Sequence, residues 1–391
     1  MAERNLDFDK IIDRKNTRSL KYDFTQRRHM PEDVLPLWVA DMNFETSSYV
    51  QDALAERVQH GIFGYSEVQT PYFEILAHWM QTHHDWEIKE NWLIKTPGIV
   101  FALAMAVQAF TQPGDAVLLQ LPVYYPFSEV IVDNDRKVVS NTLLLGEDGK
   151  YHIDFDDFEQ KIVTNQIHLF FLCNPHNPVG RVWTAEELTR LGDICVKHGV
   201  IVVSDEIHQD FVWEGKHLVF ANLKPEFADI SITCTSPSKT FNLASMLISN
   251  ILIPNRNLRH RFKKAVCGAG MSQLSVLGLV ACEAAYQNGE QWYQAIHAYV
   301  AENIAFAQNF VKQRLSGVHM IPLEGTYLLW LDFRGLGLSV EELDRRIIHE
   351  AKLWLDSGHI FGKCGEGFQR INAACPRSVL REALERIERI I

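Results

Sequence analysis

The segment Thr235-Ser236-Pro237-Ser238-Lys239-Thr240-Phe241-Asn242 sets a lysine among small hydroxyl residues just after a short β-branched run, Ile230-Ser231-Ile232-Thr233. An amine in that setting can hold an aldehyde as a Schiff base beside an anchored phosphate, to which Ser236 and Ser238 would donate. Other segments share the design, with polar residues immediately after an apolar run. Cys173-Asn174-Pro175-His176-Asn177-Pro178-Val179-Gly180 follows the run 167–172. It is a rigid turn in which Asn177, flanked by proline, can donate its amide to a ligand oxygen. Ser204-Asp205-Glu206-Ile207-His208 follows the run 200–203. Asp205 suits pairing with a protonated ring nitrogen, or alternatively a helix N-cap. His208 could face the same ligand or be a scaffold histidine. Thr96-Pro97-Gly98-Ile99-Val100 opens a helical pattern over 99–110, and free backbone N–H groups at such a start form a phosphate cradle. Tyr124, in Pro122-Val123-Tyr124-Tyr125-Pro126, offers a ring to stack on a planar group.

The elements that must position these residues are legible from about 95 to 285. Short aliphatic runs at 116–119, 167–172, 200–203, 230–233 and 248–253 alternate with helical patterns of 10 to 15 residues. Several runs are apolar on both faces, which implies a mostly parallel sheet covered by helices. In such a sheet the ligand crevice lies at the carboxyl ends of the strands, where every segment above falls. Thr184 and Glu187 form a capping box that starts the helix running to His198. A turn at 286–290, a long helix from Gln291 to about Leu315, a strand at 325–332, a helix over 339–351 and a final helix read as a smaller α+β unit. The expected division is a large domain over 46–287 and a small one from 1–45 with 288–391.

The chain has 391 residues, 47% hydrophobic and 22% charged, enough for two domains with sizeable cores. A net charge of −11 without a dense basic run argues against nucleic-acid binding. The charged N-terminus and the absence of an apolar stretch near ~18 residues point to a cytoplasmic protein. Seven cysteines without a Cys-x-x-Cys pair read as reduced thiols, and no metal is expected.

Taken in order, these segments resemble the fold type I enzymes that use pyridoxal 5′-phosphate (PLP), the aspartate aminotransferase superfamily. With Pro36-Leu37-Trp38-Val39-Ala40-Asp41-Met42, Gly61-Ile62-Phe63-Gly64-Tyr65 and Gly367-Phe368-Gln369-Arg370-Ile371-Asn372 they resemble more narrowly its MalY/PatB-type cystathionine β-lyases. The resemblance implies a large domain with a mostly parallel seven-stranded sheet, and a homodimer. It implies that Lys239 carries the cofactor, Asp205 pairs with its ring nitrogen, and Tyr124 stacks on the ring. Asn177 and His208 would contact the ring hydroxyl, while Ser236, Ser238 and the amides of Gly98, Ile99 and Val100 hold the phosphate. Tyr65 would reach in from the second subunit. Arg370 would clamp the substrate carboxylate, with Tyr124 and Asn177 beside it and Arg377 as a rival for the clamp. The implied reaction is α,β-elimination of L-cystathionine, L-cysteine or related S-substituted cysteines to thiol, pyruvate and ammonia, with Lys239, Tyr124 and Tyr65 as proton-handling groups. The alternatives are an aminotransferase acting on L-amino acids, and a non-catalytic regulator of the same fold. Two departures from the subgroup pattern are Asn43, where aspartate is usual, and Ser245, where glycine is usual.

Overall fold

The computed structural model describes residues 2–391. Its centre is a seven-stranded sheet in the order Leu93–Thr96, Ser249–Leu252, Ser231–Thr235, Ile201–Asp205, Leu169–Cys173, Ala116–Leu119, Lys137–Ser140. The expectation of a mostly parallel sheet holds, with Ser249–Leu252 the one strand antiparallel to both neighbours. Strands buried on both faces need apolar residues at successive positions, and Leu169–Cys173 shows how they are used. Leu169, Phe171 and Cys173 pack with the helices Ile99–Phe110 and Arg256–Gly268, whereas Phe170 and Leu172 pack with the helix Ala185–His198. Alternation along one strand thus divides the interior into two cores.

Register places the functional segments on one edge. Cys173 pairs with Asp205, Asp205 with Cys234, and the antiparallel strand starts at Ser249 opposite Thr96. The turns after Thr96, Cys173, Asp205 and Thr235 therefore emerge together. The capping box is present: Glu187 N–H donates to Thr184 Oγ1 (3.2 Å), and Thr184 N–H donates to Glu187 (2.9 Å).

A second, four-stranded antiparallel sheet runs in the order His319–Met320, Leu328–Asp332, Phe368–Asn372, Asp356–Ser357. The helices Glu290–Arg314 and Arg377–Glu388 belong with it. The helix expected over 339–351 is shorter, Val340–Arg345, and passes into one wide turn over Arg346–Glu350. Ile230, expected in a strand, ends the helix Pro225–Ile230 instead. No helix among the described residues is long and apolar enough to cross a membrane.

Near the N-terminus, Leu35–Pro36 pairs with Leu353–Trp354 and leads into a strap, residues 38–43, crossing the mouth of the main sheet. Asn372 Nδ2 donates to the carbonyls of Val39 (2.7 Å) and Asp41 (2.6 Å). Asn242 closes the other side, accepting from Met42 N–H and donating to the carbonyls of Met42 and Phe44. Removing a donor from two part-buried carbonyls costs about 1–3 kcal/mol each when no water replaces it. Asn372→Ala is expected to lower unfolding stability by about 2 kcal/mol, read as a lower urea midpoint at unchanged slope.

Candidate active site

Lys239 lies in the one-turn helix Pro237–Thr240, directly after the strand Ser231–Thr235. A helix that short starts there because Ser236 caps it, accepting the Ser238 N–H at 3.1 Å. The Ser236 hydroxyl itself donates to the Ile248 carbonyl (2.7 Å). Its proton is therefore spent inside the protein, and among the described residues only Ser238 of the two hydroxyls is left without a partner. Lys239 Nζ donates to the Ala40 carbonyl at 2.7 Å. Burial, with a contribution from Arg370, lowers its pKa to about 8, against the opposing pull of Asp41 and Asp205.

Asp205 is the last residue of its strand and is buried. Its carboxylate accepts only the Ile207 N–H, at 3.1 Å, and no helix follows, so the N-cap alternative fails. Burial pushes its pKa up to about 7, with Glu206 adding to the shift. His208 is buried with Nδ1 unpartnered, its ring edge-on to Tyr327 at 5.7 Å, and burial drives its pKa well below the usual value.

Asn177 accepts Arg370 Nη1–H at 2.9 Å through Oδ1, leaving its amide N–H group free among the described residues. Arg370 Nη2 donates to the Trp38 carbonyl (2.8 Å) and to Asp356. Its Nε is buried without a partner. Tyr124 N–H donates to the Asn177 carbonyl (3.1 Å), and burial raises its phenol pKa. Gly98 precedes the helix Ile99–Phe110 with no side-chain cap, so the first amides of that helix are open to an anion.

Lys239, Asp205, His208, Asn177 and Arg370 are thus linked on one edge. Tyr65 is not part of that set within one subunit, being 97% exposed on a loop that also exposes Ile62 and Phe63. Arg377 is engaged elsewhere, with Asn303 and Glu302 on the helix Glu290–Arg314.

Several groups were not anticipated from sequence. Lys21 is fully buried, 3.3 Å from Asp41, and donates to Asn43 Oδ1 at 2.8 Å. Tyr327 OH shares the Ala40 carbonyl with Lys239. Asp356 sits in a strand of two residues with no motif to mark it. No local pattern flags such groups, because their partners lie far away in the chain.

The unsatisfied atoms fit PLP. An acceptor-poor carboxylate suits a ring N–H, a free amide and an unpartnered imidazole suit a ring hydroxyl, and an uncapped helix start with a free serine suits a phosphate. Comparison with known proteins leads to the same place. The description of the aminotransferase class I and II family matches residues 32–387. Cystathionine beta-lyase PatB of Bacillus subtilis (strain 168) is 44% identical over 98% of this chain and 99% of its own. Protein MalY of Escherichia coli (strain K12) is 33% identical over 97% of each. The PLP-bound C-S lyase from Staphylococcus hominis superposes with a TM-score of 0.91 at 34% identity, covering 98% of this chain and 97% of the other. The chain belongs to the aminotransferase class I and II family, within its MalY and PatB group.

Proposed function

We propose that this chain is a PLP-dependent carbon–sulfur β-lyase that cleaves L-cystathionine, and related S-substituted cysteines, to thiol, pyruvate and ammonia. The observation that carries the reading over an aminotransferase is the 44% identity to a cystathionine β-lyase across 98% of the chain.

In this reading Lys239 holds the cofactor aldehyde, Asp205 its ring nitrogen, and Asn177 and His208 its hydroxyl. Tyr124 covers one ring face, and Ser238 with the amides of Gly98, Ile99 and Val100 takes the phosphate. Ser236 contributes by capping the Lys239 helix. Bound there, PLP supplies the electron sink that lets a Cα proton leave. Arg370 orients the substrate by its α-carboxylate, a task for a rigid guanidinium fork. Lys239 Nζ, as a neutral amine, would take the proton from Cα. The electron pair forms the Cα–Cβ double bond as the Cβ–S bond breaks, and the thiolate takes a proton from Lys239, Tyr124 or Tyr65. Water then releases ammonia and leaves pyruvate. Asp205 would pair with the ring nitrogen of bound PLP and favour its protonated form.

Tyr65 enters this scheme only from a second copy of the chain. The exposed Ile62, Phe63 and Tyr65 support a twofold dimer that covers them and completes each site. The sheets support a large domain over 46–287 and a small one of 1–45 with 288–391, since Leu35–Pro36 pairs with a strand of the latter. The seven unpaired thiols support a reducing compartment, the cytoplasm.

Purified, PLP-loaded protein is expected to release pyruvate and thiol in equal amounts from L-cystathionine without a keto-acid acceptor. Lys239→Ala is expected to lose at least ~10³-fold of that rate, the scale of a positioned acid–base group. Conversion of the cofactor to its amine form without thiol release would replace the lyase reading by the aminotransferase one.

A second expectation concerns pH. A lysine reacts with acylating reagents as the neutral amine, so its rate climbs until pH passes its pKa. In cofactor-free protein, Lys239 labelling followed by mass spectrometry should level off near pH 8. A surface lysine keeps rising towards ~10.4. A midpoint above pH 10 for Lys239 would contradict the neutral-base assignment.

A further inference from the structure

We infer that the chamber beside Asp356 is a second recognition site for the same substrate, receiving the distal amino-acid end of L-cystathionine that leaves as homocysteine. The inference rests on the lyase reading above. The chamber has a volume of about 400 Å³ and is lined by Arg28, Trp38, Tyr125, Glu129, Trp354 and Asp356, among others. That is within the range of small-molecule sites, ~300–1,000 Å³. It adjoins the candidate carboxylate clamp through two of its own walls: Asp356 and the Trp38 carbonyl both accept from Arg370 Nη2.

Some of its polar groups lack protein partners, although Asp356 is held by Arg370 and Asp344 by Gln369. Trp38 is 5% exposed, and its indole N–H is buried without an acceptor. Arg28 lies over the Trp38 ring, 4.7 Å from its centroid, and forms no ion pair among the described residues. The Glu129 carboxylate likewise has no ion-pair or hydrogen-bond partner among them. The Arg28 cation matches a carboxylate, and the Glu129 carboxylate matches an ammonium. Together they form the complement of a free α-amino acid. Trp38 and Trp354, stacked at 4.6 Å, supply an apolar wall for the methylenes between its charged groups and sulfur. A substrate with a short S-alkyl group would leave the chamber unfilled.

The test compares L-cystathionine with S-methyl-L-cysteine, which lacks the distal end. In Arg28→Gln, the ratio of kcat/KM for L-cystathionine to that for S-methyl-L-cysteine is expected to fall about tenfold, the scale of one charge-assisted hydrogen bond. Arg28→Lys, which keeps the charge, should lose less. A binding readout separates recognition from turnover. In PLP-loaded Lys239→Ala, tryptophan fluorescence titration should show Arg28→Gln weakening L-cystathionine about tenfold more than S-methyl-L-cysteine. An equal effect on both ligands, or no effect on either, overturns the inference. If unmutated enzyme cleaves neither substrate, the lyase reading falls, while the two dissociation constants still decide whether the chamber recognises the distal end.

Discussion

One guanidinium holds three parts of the chain in register. Arg370, on the strand Phe368–Asn372, reaches the loop of the main sheet through Asn177, the N-terminal strap through the Trp38 carbonyl, and the neighbouring small-sheet strand through Asp356. A buried charge costs several kcal/mol unless its donors are met, so each acceptor is fixed by the need to satisfy the same cation. The relative placement of the two sheets at the site follows from that need. Asp356 also means that the cation is paired before any substrate arrives. Burial pushes the Asp356 carboxyl up while Arg370 and Arg28 pull it down. A carboxylate bound as proposed would therefore share Arg370 with an acid that holds its proton more readily than a surface aspartate.

The segment 205–210 shows how the fold separates well-satisfied carboxylates from one that it leaves with a single donor. Glu206 is buried against His217 (2.8 Å), Ser204 (2.8 Å) and the Phe220 N–H (3.1 Å). Asp210 is buried against His84 (2.9 Å), Trp79 (3.2 Å) and the Thr240 hydroxyl, which fixes the residue next to Lys239. A histidine and further donors satisfy each of these two and make both part of the scaffold. Asp205 has a single backbone donor and is raised accordingly. Three acids within six residues thus meet two fates, decided by the donors that each one reaches.

This explains what the sequence could and could not reveal. Asp205, Asn177 and Lys239 were legible because each closes an apolar run, and in a parallel sheet such positions share an edge. The main sheet was legible for the same reason, although nothing local marks Ser249–Leu252 as antiparallel. The capping box at Thr184 needed only two residues three apart. The engagement of Ser236 with Ile248 could not be read, because a capping hydroxyl and a phosphate donor look alike until the partner strand is placed. Lys21 and Asp356 stayed hidden behind ordinary composition, since their roles come from contacts with the strap and with Arg370.

The strap also gives Asn43 a physical meaning. Its Oδ1 accepts from Lys21 (2.8 Å) and Arg14 (3.1 Å), and its Nδ2 donates to Tyr22 OH (2.8 Å). The aspartate usual at this position could serve both cations but could not donate to the phenol. With asparagine, Asp41 is the one carboxylate bonded to both Lys21 and Arg14, and although burial pushes Asp41 up, those two cations hold it below the usual range. Asp41 therefore stays ionised beside Arg14 and Lys21, whose own pKa burial lowers, and it lies close enough to Lys239 to oppose the fall of that lysine's pKa. The strap is held by a balance in which an amide replaces a charge. Lys239 rests on the carbonyl of Ala40, next to Asp41 in that strap.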